Sequence, residues 1–269
     1  MSEHELFTIS PLDGRYSAKV KFVGSYLSEG ALIKNRLLVE LKWLKFLLKK
    51  DIAAEISFPK PFSKSDLNLI SDLENSLTGK DFLRVKELEK KYNHDVKACE
   101  YLLREKLEQE GATSNLLALI HFGCTSEDIN NTAYGLMLKS LKEEKLLPLQ
   151  SELIEYLSQM ANEYAGLTML GQTHGQAASP TTLGKELIIF AHRLKKIHEK
   201  LKASNFTAKF NGASGNFNAH KLALPLVNWP KLSKIFVEDE LGLSYNPLTT
   251  QIEGYDELCF FCQTLGLYN

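Results

Sequence analysis

The chain has 269 residues, 44% of them hydrophobic, with 32 Lys plus Arg against 33 Asp plus Glu and a formal charge of -1. That length allows one large or two modest domains with a sizeable core, and the balanced charge supplies no bulk field toward nucleic acid or an anionic membrane. Any anion site must be local. The cysteines Cys99, Cys124, Cys259 and Cys262 are too few and too scattered for the disulfide framework of a secreted domain, so a reducing cytoplasm is expected. Met1 to Leu6 lacks the basic and apolar regions of a signal peptide. The longest apolar stretches, such as Leu37 to Leu48, are interrupted by Glu40, Lys42 and Lys45, short of the roughly 20 residues a bilayer crossing needs. A soluble protein with no membrane partner is expected.

In chain order, Ala31 to Lys50 is the first clear element: Leu32, Arg36, Val39, Trp43, Phe46 and Leu47 recur mostly at three- and four-residue steps among charged neighbours, the pattern of an amphipathic helix. Pro59 and Pro61 exclude a continuous helix, and helical spacing resumes over Ser63 to Leu77, with Gly79 as its expected end. From Val85 the series Leu88, Tyr92, Val96, Cys99, Leu103 and Leu107 predicts one long helix or two abutting ones, capped at Gly111. Thr125-Ser126-Glu127-Asp128 has capping-box spacing ahead of a helix over Ile129 to Leu147, with Pro148 as a stop. Leu149 to Tyr164 and Leu183 to Leu201 supply two more helices around a loop at Gly171 to Pro180. Asn211 to Asn216 reads as a third special loop, and Pro225 and Pro230 break up the stretch after it. No sustained two-residue alternation, internal repeat or low-complexity segment is present, so the expected class is all-α.

Several polar segments carry both a bland and a functional reading. Asp13-Gly14-Arg15-Tyr16 reads as a turn with a solvated arginine. Asn93-His94-Asp95 sets three hydrogen-bonding side chains into a helical pattern where Lys and Glu would be ordinary. Thr125 to Asp128 is explained in part by capping, yet a helix N-terminus with two hydroxyls also suits a carboxylate or phosphate. His174, between Gly171-Gln172-Thr173 and Gly175-Gln176, has no apolar periodicity to make it a core residue. Its imidazole, with an ordinary pKa of about 6.5, suits proton transfer near neutral pH. His121, His192, His198 and His220 are assigned to structure or surface. Cys259-x-x-Cys262 is half of a zinc or redox motif with no second pair nearby, so no metal is expected. No phosphate loop of the kinase or dinucleotide type and no Gly-x-Ser-x-Gly elbow appears.

Taken in order, Ser10-Pro11-Leu12-Asp13-Gly14-Arg15-Tyr16, Asn93 to Ala98, His121 to Asn131, Thr173 to Gln176, Asn211 to Asn216 and Thr249 to Glu253 resemble the fumarase/aspartase superfamily, and most closely its adenylosuccinate lyase branch. The resemblance implies a helical N-terminal domain over about residues 1–112, then over 113–269 the first, incomplete part of a long central helical bundle. It implies β-elimination of fumarate from adenylosuccinate, giving AMP, and from its succinylated purine precursor, giving AICAR. No cofactor or metal is required. A base removes a C–H proton, the resulting dianion is stabilised electrostatically, and an acid protonates the departing nitrogen.

His174 matches the family's catalytic acid, and His94 a supporting residue. Thr125 and Ser126 match carboxylate contacts, Arg15 and Tyr16 phosphate contacts, and Asn93, Asp95 and Gln251 further substrate contacts, with Gln251 orienting the succinyl portion. Family members assemble as homotetramers whose sites draw on three subunits. Gln172 stands where the family has arginine, removing a charge near the acid. The resemblance is expected to fail after Glu253, where the family has Pro-His-Asp and a long helix. The base-bearing Ser-Ser-x-Met-Pro-x-Lys loop has no match, which suggests a truncated or frameshifted reading frame that is inactive alone. The competing readings are another superfamily lyase and a non-catalytic helical oligomerisation module.

Overall fold

The computed structural model describes residues 8–49, 52, 56 and 64–268. The expected breaks at Pro59 and Pro61, the start at Met1 to Leu6, and the helix ends at Lys50 and Ser63 lie outside these residues. The chain divides into two compact units, residues 1–138 with 206–254, and residues 139–205 with 255–269. No helix among the described residues is long and apolar enough to cross a membrane.

In the first unit the Ser28 hydroxyl accepts the Ala31 amide at 3.1 Å and starts α1, Glu29–Leu47. This helix is not the half-solvated surface element its charges suggest. Ile33, Leu37, Val39, Leu41, Trp43, Leu44, Phe46 and Leu47 are all buried, around most of its circumference, and so are Arg36 and Glu40. Trp43 stacks against Phe46 at 5.6 Å and meets Phe210 at 4.7 Å and Phe236 at 4.9 Å. Its indole N–H donates to the Phe122 carbonyl at 3.0 Å.

Helix α2, Lys64–Ser76, precedes α3, Gly79–Tyr92. Gly79 therefore opens a helix where it was expected to close one. The reason is Thr78, whose capping box with Asp81 satisfies free amides at that point. The break inside the next apolar series falls at Asn93, which takes a left-handed φ of 54° as C-cap of α3. His94 then caps α4, Asp95–Gln109. Gly111 ends α4 as expected: its amide donates to Glu108 O and that of Ala112 to Leu107 O, the paired bonds of a Schellman motif.

Helix α5, Ser126–Leu141, does not stop at Pro148. It passes into a π-helical turn, Lys142–Leu146, and then into α6, Leu147–Glu163, with Pro148 in its first turn. Further along, α8 is Asn218–Ala223, and α9, Trp229–Ile235, likewise carries Pro230 in its first turn, so that proline also starts a helix. The first unit also holds a two-residue parallel pairing of β3, Thr207–Ala208, with β4, Ser244–Tyr245.

The second unit pairs α6 with α7, Leu183–Ala203, and packs α10, Asp256–Tyr268, against α7. His198 Nδ1 donates to Gln150 Oε1 at 3.1 Å inside this unit. Between α6 and α7 the expected loop is an antiparallel hairpin, β1, Thr168–Thr173, and β2, Gln176–Thr182. The fold is mainly helical, as expected, with this hairpin as the correction. The two strands are exposed along most of their length, so no alternation of apolar and polar residues marks them; the turn between them does. Leu149, Leu153 and Tyr156 on α6, Ile188 and Phe190 on α7, and Phe260 and Leu267 on α10 are exposed apolar side chains of this unit.

Candidate active site

The Asn93-His94-Asp95 segment works as a helix break with a use for each residue. Asn93 turns the chain, and His94 Nδ1 accepts the Lys97 amide at 3.2 Å, which leaves Nε2 to carry the proton of the neutral ring. Asp95, at the first position of α4, accepts Arg36 Nη2 at 2.6 Å. Burial raises the Asp95 carboxyl, but Arg36 and the Val96 amide, with His94 beside them, together outweigh it and hold the carboxyl below the usual range. Arg36 Nε also donates to Asn130 Oδ1 at 2.8 Å, so one buried guanidinium ties Asp95 to α5, the helix that Thr125 and Ser126 open.

Thr125 and Ser126 are half-buried at the start of α5. The Thr125 amide donates to Asp128 Oδ2 at 2.8 Å, half of the expected capping box. Asp128 is fully buried and also receives the Asn211 amide at 2.9 Å, the Gly212 amide at 3.1 Å and Lys209 Nζ at 3.1 Å. Burial raises its pKa against the opposing pull of Lys209. Lys209 Nζ donates further to Gly212 O and to Gln251 O, both at 2.8 Å. Asn131 closes the group: its Oδ1 accepts the Lys209 amide at 2.9 Å and its Nδ2 donates to Lys209 O at 3.1 Å. Asn211 Nδ2 donates to Thr249 Oγ1 at 2.8 Å. The segments 125–131, 209–212 and 249–251, far apart in sequence, are thus brought together.

Arg15 and Tyr16 are exposed, and their side-chain geometry is local: the guanidinium lies 5.2 Å from the Tyr16 ring, with Lys19 Nζ at 5.8 Å on that ring. Gln251 is exposed on the loop whose carbonyl Lys209 holds. His174 belongs to the second unit. It and Gly175 form the two-residue turn of the hairpin, at φ of 51° and 71°, the double positive φ of a type I′ turn, which glycine adopts freely and histidine does not. The imidazole is exposed at that tip. Gln172 sits on β1 opposite Ala177.

Sequence reasoning passed over Arg36 and Lys209. Each carried a signal: Arg36 occupies a position of the apolar series of α1, and Lys209 stands alone between Ala208 and Phe210 just before the Asn-Gly loop. His121 and His220 are structural, in opposite senses. His121 Nδ1 lies 2.6 Å from Glu40 Oε1; burial would lower its pKa, but Glu40 raises it above the usual value. His220 is 1% exposed, packed by Trp43, Phe122, Phe217 and Trp229 and against Gly123, where a Cβ would collide with the ring. Burial pushes it down to about 4.

A depressed histidine contributes stability that is present above its unfolded pKa and lost as pH falls through the folded one. His220 should therefore remove roughly 3 kcal/mol of first-unit stability between pH 6.5 and about 4, whereas His121, raised, acts in the other direction. Urea unfolding across that range, compared with His220→Phe, checks this: the acid loss should shrink in the variant, and an unchanged slope would rule it out.

Cys259 and Cys262 are exposed on α10, and no group of three His, Cys, Asp or Glu side chains able to hold a metal occurs among the described residues. A mainly helical scaffold, with polar loops tied to helix starts and a histidine at a hairpin tip, has the fold of the fumarate lyase-type enzymes. A beta-carboxy-cis,cis-muconate cycloisomerase from Acinetobacter calcoaceticus superposes with a TM-score of 0.73 at 20% identity, over 92% of this chain and 54% of that one. A fumarate lyase from Mesorhizobium gives 0.71 at 17%, over 93% and 53%. The chain belongs to the lyase family whose model matches residues 14–269.

It is 42% identical over 269 residues to the adenylosuccinate lyase of Buchnera aphidicola from Schizaphis graminum, and 38% identical over 269 residues to that of Escherichia coli. Each match covers 100% of this chain and 58% of the relative, so the chain spans just over half the length of the curated relatives it matches. The similarity continues past Glu253 to the last residue, correcting the expected break there, and α10 supplies a helix in that stretch.

Proposed function

We infer that this chain carries the acid and substrate-binding residues of an adenylosuccinate lyase, which eliminates fumarate from adenylosuccinate to leave AMP and from SAICAR to leave AICAR in purine biosynthesis. The observation that carries the reading is His174 itself. It is exposed at the tip of a two-residue turn, outside any packed core, and an imidazole presented in that way can reach a substrate as a proton donor. In the elimination a base takes the C–H proton beside a carboxylate, the electron pair forms the fumarate double bond, the C–N bond breaks, and His174 as imidazolium delivers its proton to the departing nitrogen.

Thr125 and Ser126 at the start of α5 hold a substrate carboxylate, Arg15 and Tyr16 the phosphate, and Asn93, His94, Asp95 and Gln251 further parts of the substrate. The domain boundary near residue 112 and a cytoplasmic location belong to the same reading. So does a homotetramer; the exposed apolar side chains of α6, α7 and α10 support assembly through the second unit.

The base comes from a segment that this chain does not match, so the test is complementation. Fumarate release from adenylosuccinate is measured for the chain alone and mixed with a lyase subunit that has its base loop but lacks its acid. Turnover in the mixture above that of either component is expected. A mixture that assembles and stays silent overturns the reading, and full turnover by the chain alone overturns the claim that the base comes from elsewhere.

A further inference from the structure

Two of the residues assigned to the substrate's succinyl part, Thr125 and Gln251, are joined by a buried chain of contacts. The Thr125 amide donates to Asp128, Asp128 is paired with Lys209, and Lys209 Nζ donates to the Gln251 carbonyl. Both charged side chains are 0% exposed, the ammonium having as partners the Asp128 carboxylate and the carbonyls of Gly212 and Gln251. A buried ion pair adds little net stability compared with apolar residues of similar volume, because desolvation offsets the attraction; one that also receives three backbone amides fixes geometry.

We propose that Lys209 and Asp128 are positioning residues: a single ionic pin that sets the start of α5 and the 249–251 loop in one frame, and so places Thr125 and Gln251 for the succinyl carboxylates. This rests on the lyase reading of the chain. The pin touches no substrate. It acts on backbone, a carbonyl at Gln251 and an amide at Thr125, so the side chains of both are left for the ligand. Arg15 and Tyr16 lie on no part of it, and the nucleotide end of the substrate is independent of the pin.

The experiment is equilibrium binding of adenylosuccinate and, separately, of AMP to the wild-type chain and to Lys209→Met, Lys209→Arg and the double variant D128N/K209M, with folding monitored by circular dichroism. The double variant removes both charges together and avoids leaving one buried alone. Adenylosuccinate binding should weaken about tenfold or more in Lys209→Met and in the double variant, on the scale that misplaced binding groups cost. AMP binding should stay within about twofold. Lys209→Arg, which keeps the charge, should recover part of the loss.

Adenylosuccinate affinity equal to wild type in a folded Lys209→Met or double variant overturns the pin. So does an equal loss of both ligands, which would mean general loosening, or failure of all three variants to fold, which would make the pair a stability element alone. A wild-type chain that binds neither ligand removes the lyase reading, and the pin's role in it.

Discussion

His174→Asn should lower complemented fumarate release by about 10²- to 10⁴-fold, the usual contribution of a positioned general acid. Asparagine is the informative replacement because it tolerates the left-handed backbone that the turn imposes, so the hairpin keeps its two-residue geometry while the proton donor disappears. The loss should fall on the turnover number and leave substrate affinity nearly untouched, since the contacts assigned to binding lie on other segments. Steady-state rates across substrate concentration, on the chain complemented by an acid-deficient lyase subunit, measure both quantities. Undiminished turnover in His174→Asn would dismiss the histidine as the acid.

Trp43→Ala should cost the first unit about 3 to 5 kcal/mol, the range for truncating a buried aromatic in a core that only partly collapses. The indole is 1% exposed and touches Phe46, Phe210 and Phe236. Its loss also takes the indole donor from the Phe122 carbonyl, leaving it only the weaker Cys124 Sγ at 3.5 Å, a further cost of up to about 1 kcal/mol. Against a total stability of roughly 5–15 kcal/mol for a domain, this is enough to leave the unit partly unfolded at 37 °C. Urea denaturation monitored by far-ultraviolet circular dichroism gives the number. A loss below about 1 kcal/mol would mean that the ring cluster is not the centre of this core.

Local signals in the sequence were legible because their partners lie within four residues. Helical spacing located α1 and α7, Gly111 located the end of α4, and Thr125 the start of α5. Gly79 and Pro148 were misjudged for one shared reason. Glycine and proline mark a helix boundary but not its sense, and here each lies just inside a start. The hairpin escaped because its strands are exposed and only its turn is diagnostic.

For the site, the residues that stand in distinctive local contexts, His174 and the Asn93-His94-Asp95 break, could be picked out one by one. What joins the segments could not. The Arg36–Asp95 and Asp128–Lys209 pairs span 59 and 81 positions, and long-range partners leave no trace in the local pattern of a single chain.

The turn at His174 and Gly175 carries one more implication, for how such a chain changes under selection. Asn-Gly is the cheapest dipeptide for this geometry, and a non-glycine residue held at positive φ costs on the order of 1 kcal/mol. Selection on foldedness alone therefore favours asparagine at this position. A lineage released from the reaction should lose the histidine before it loses Trp43.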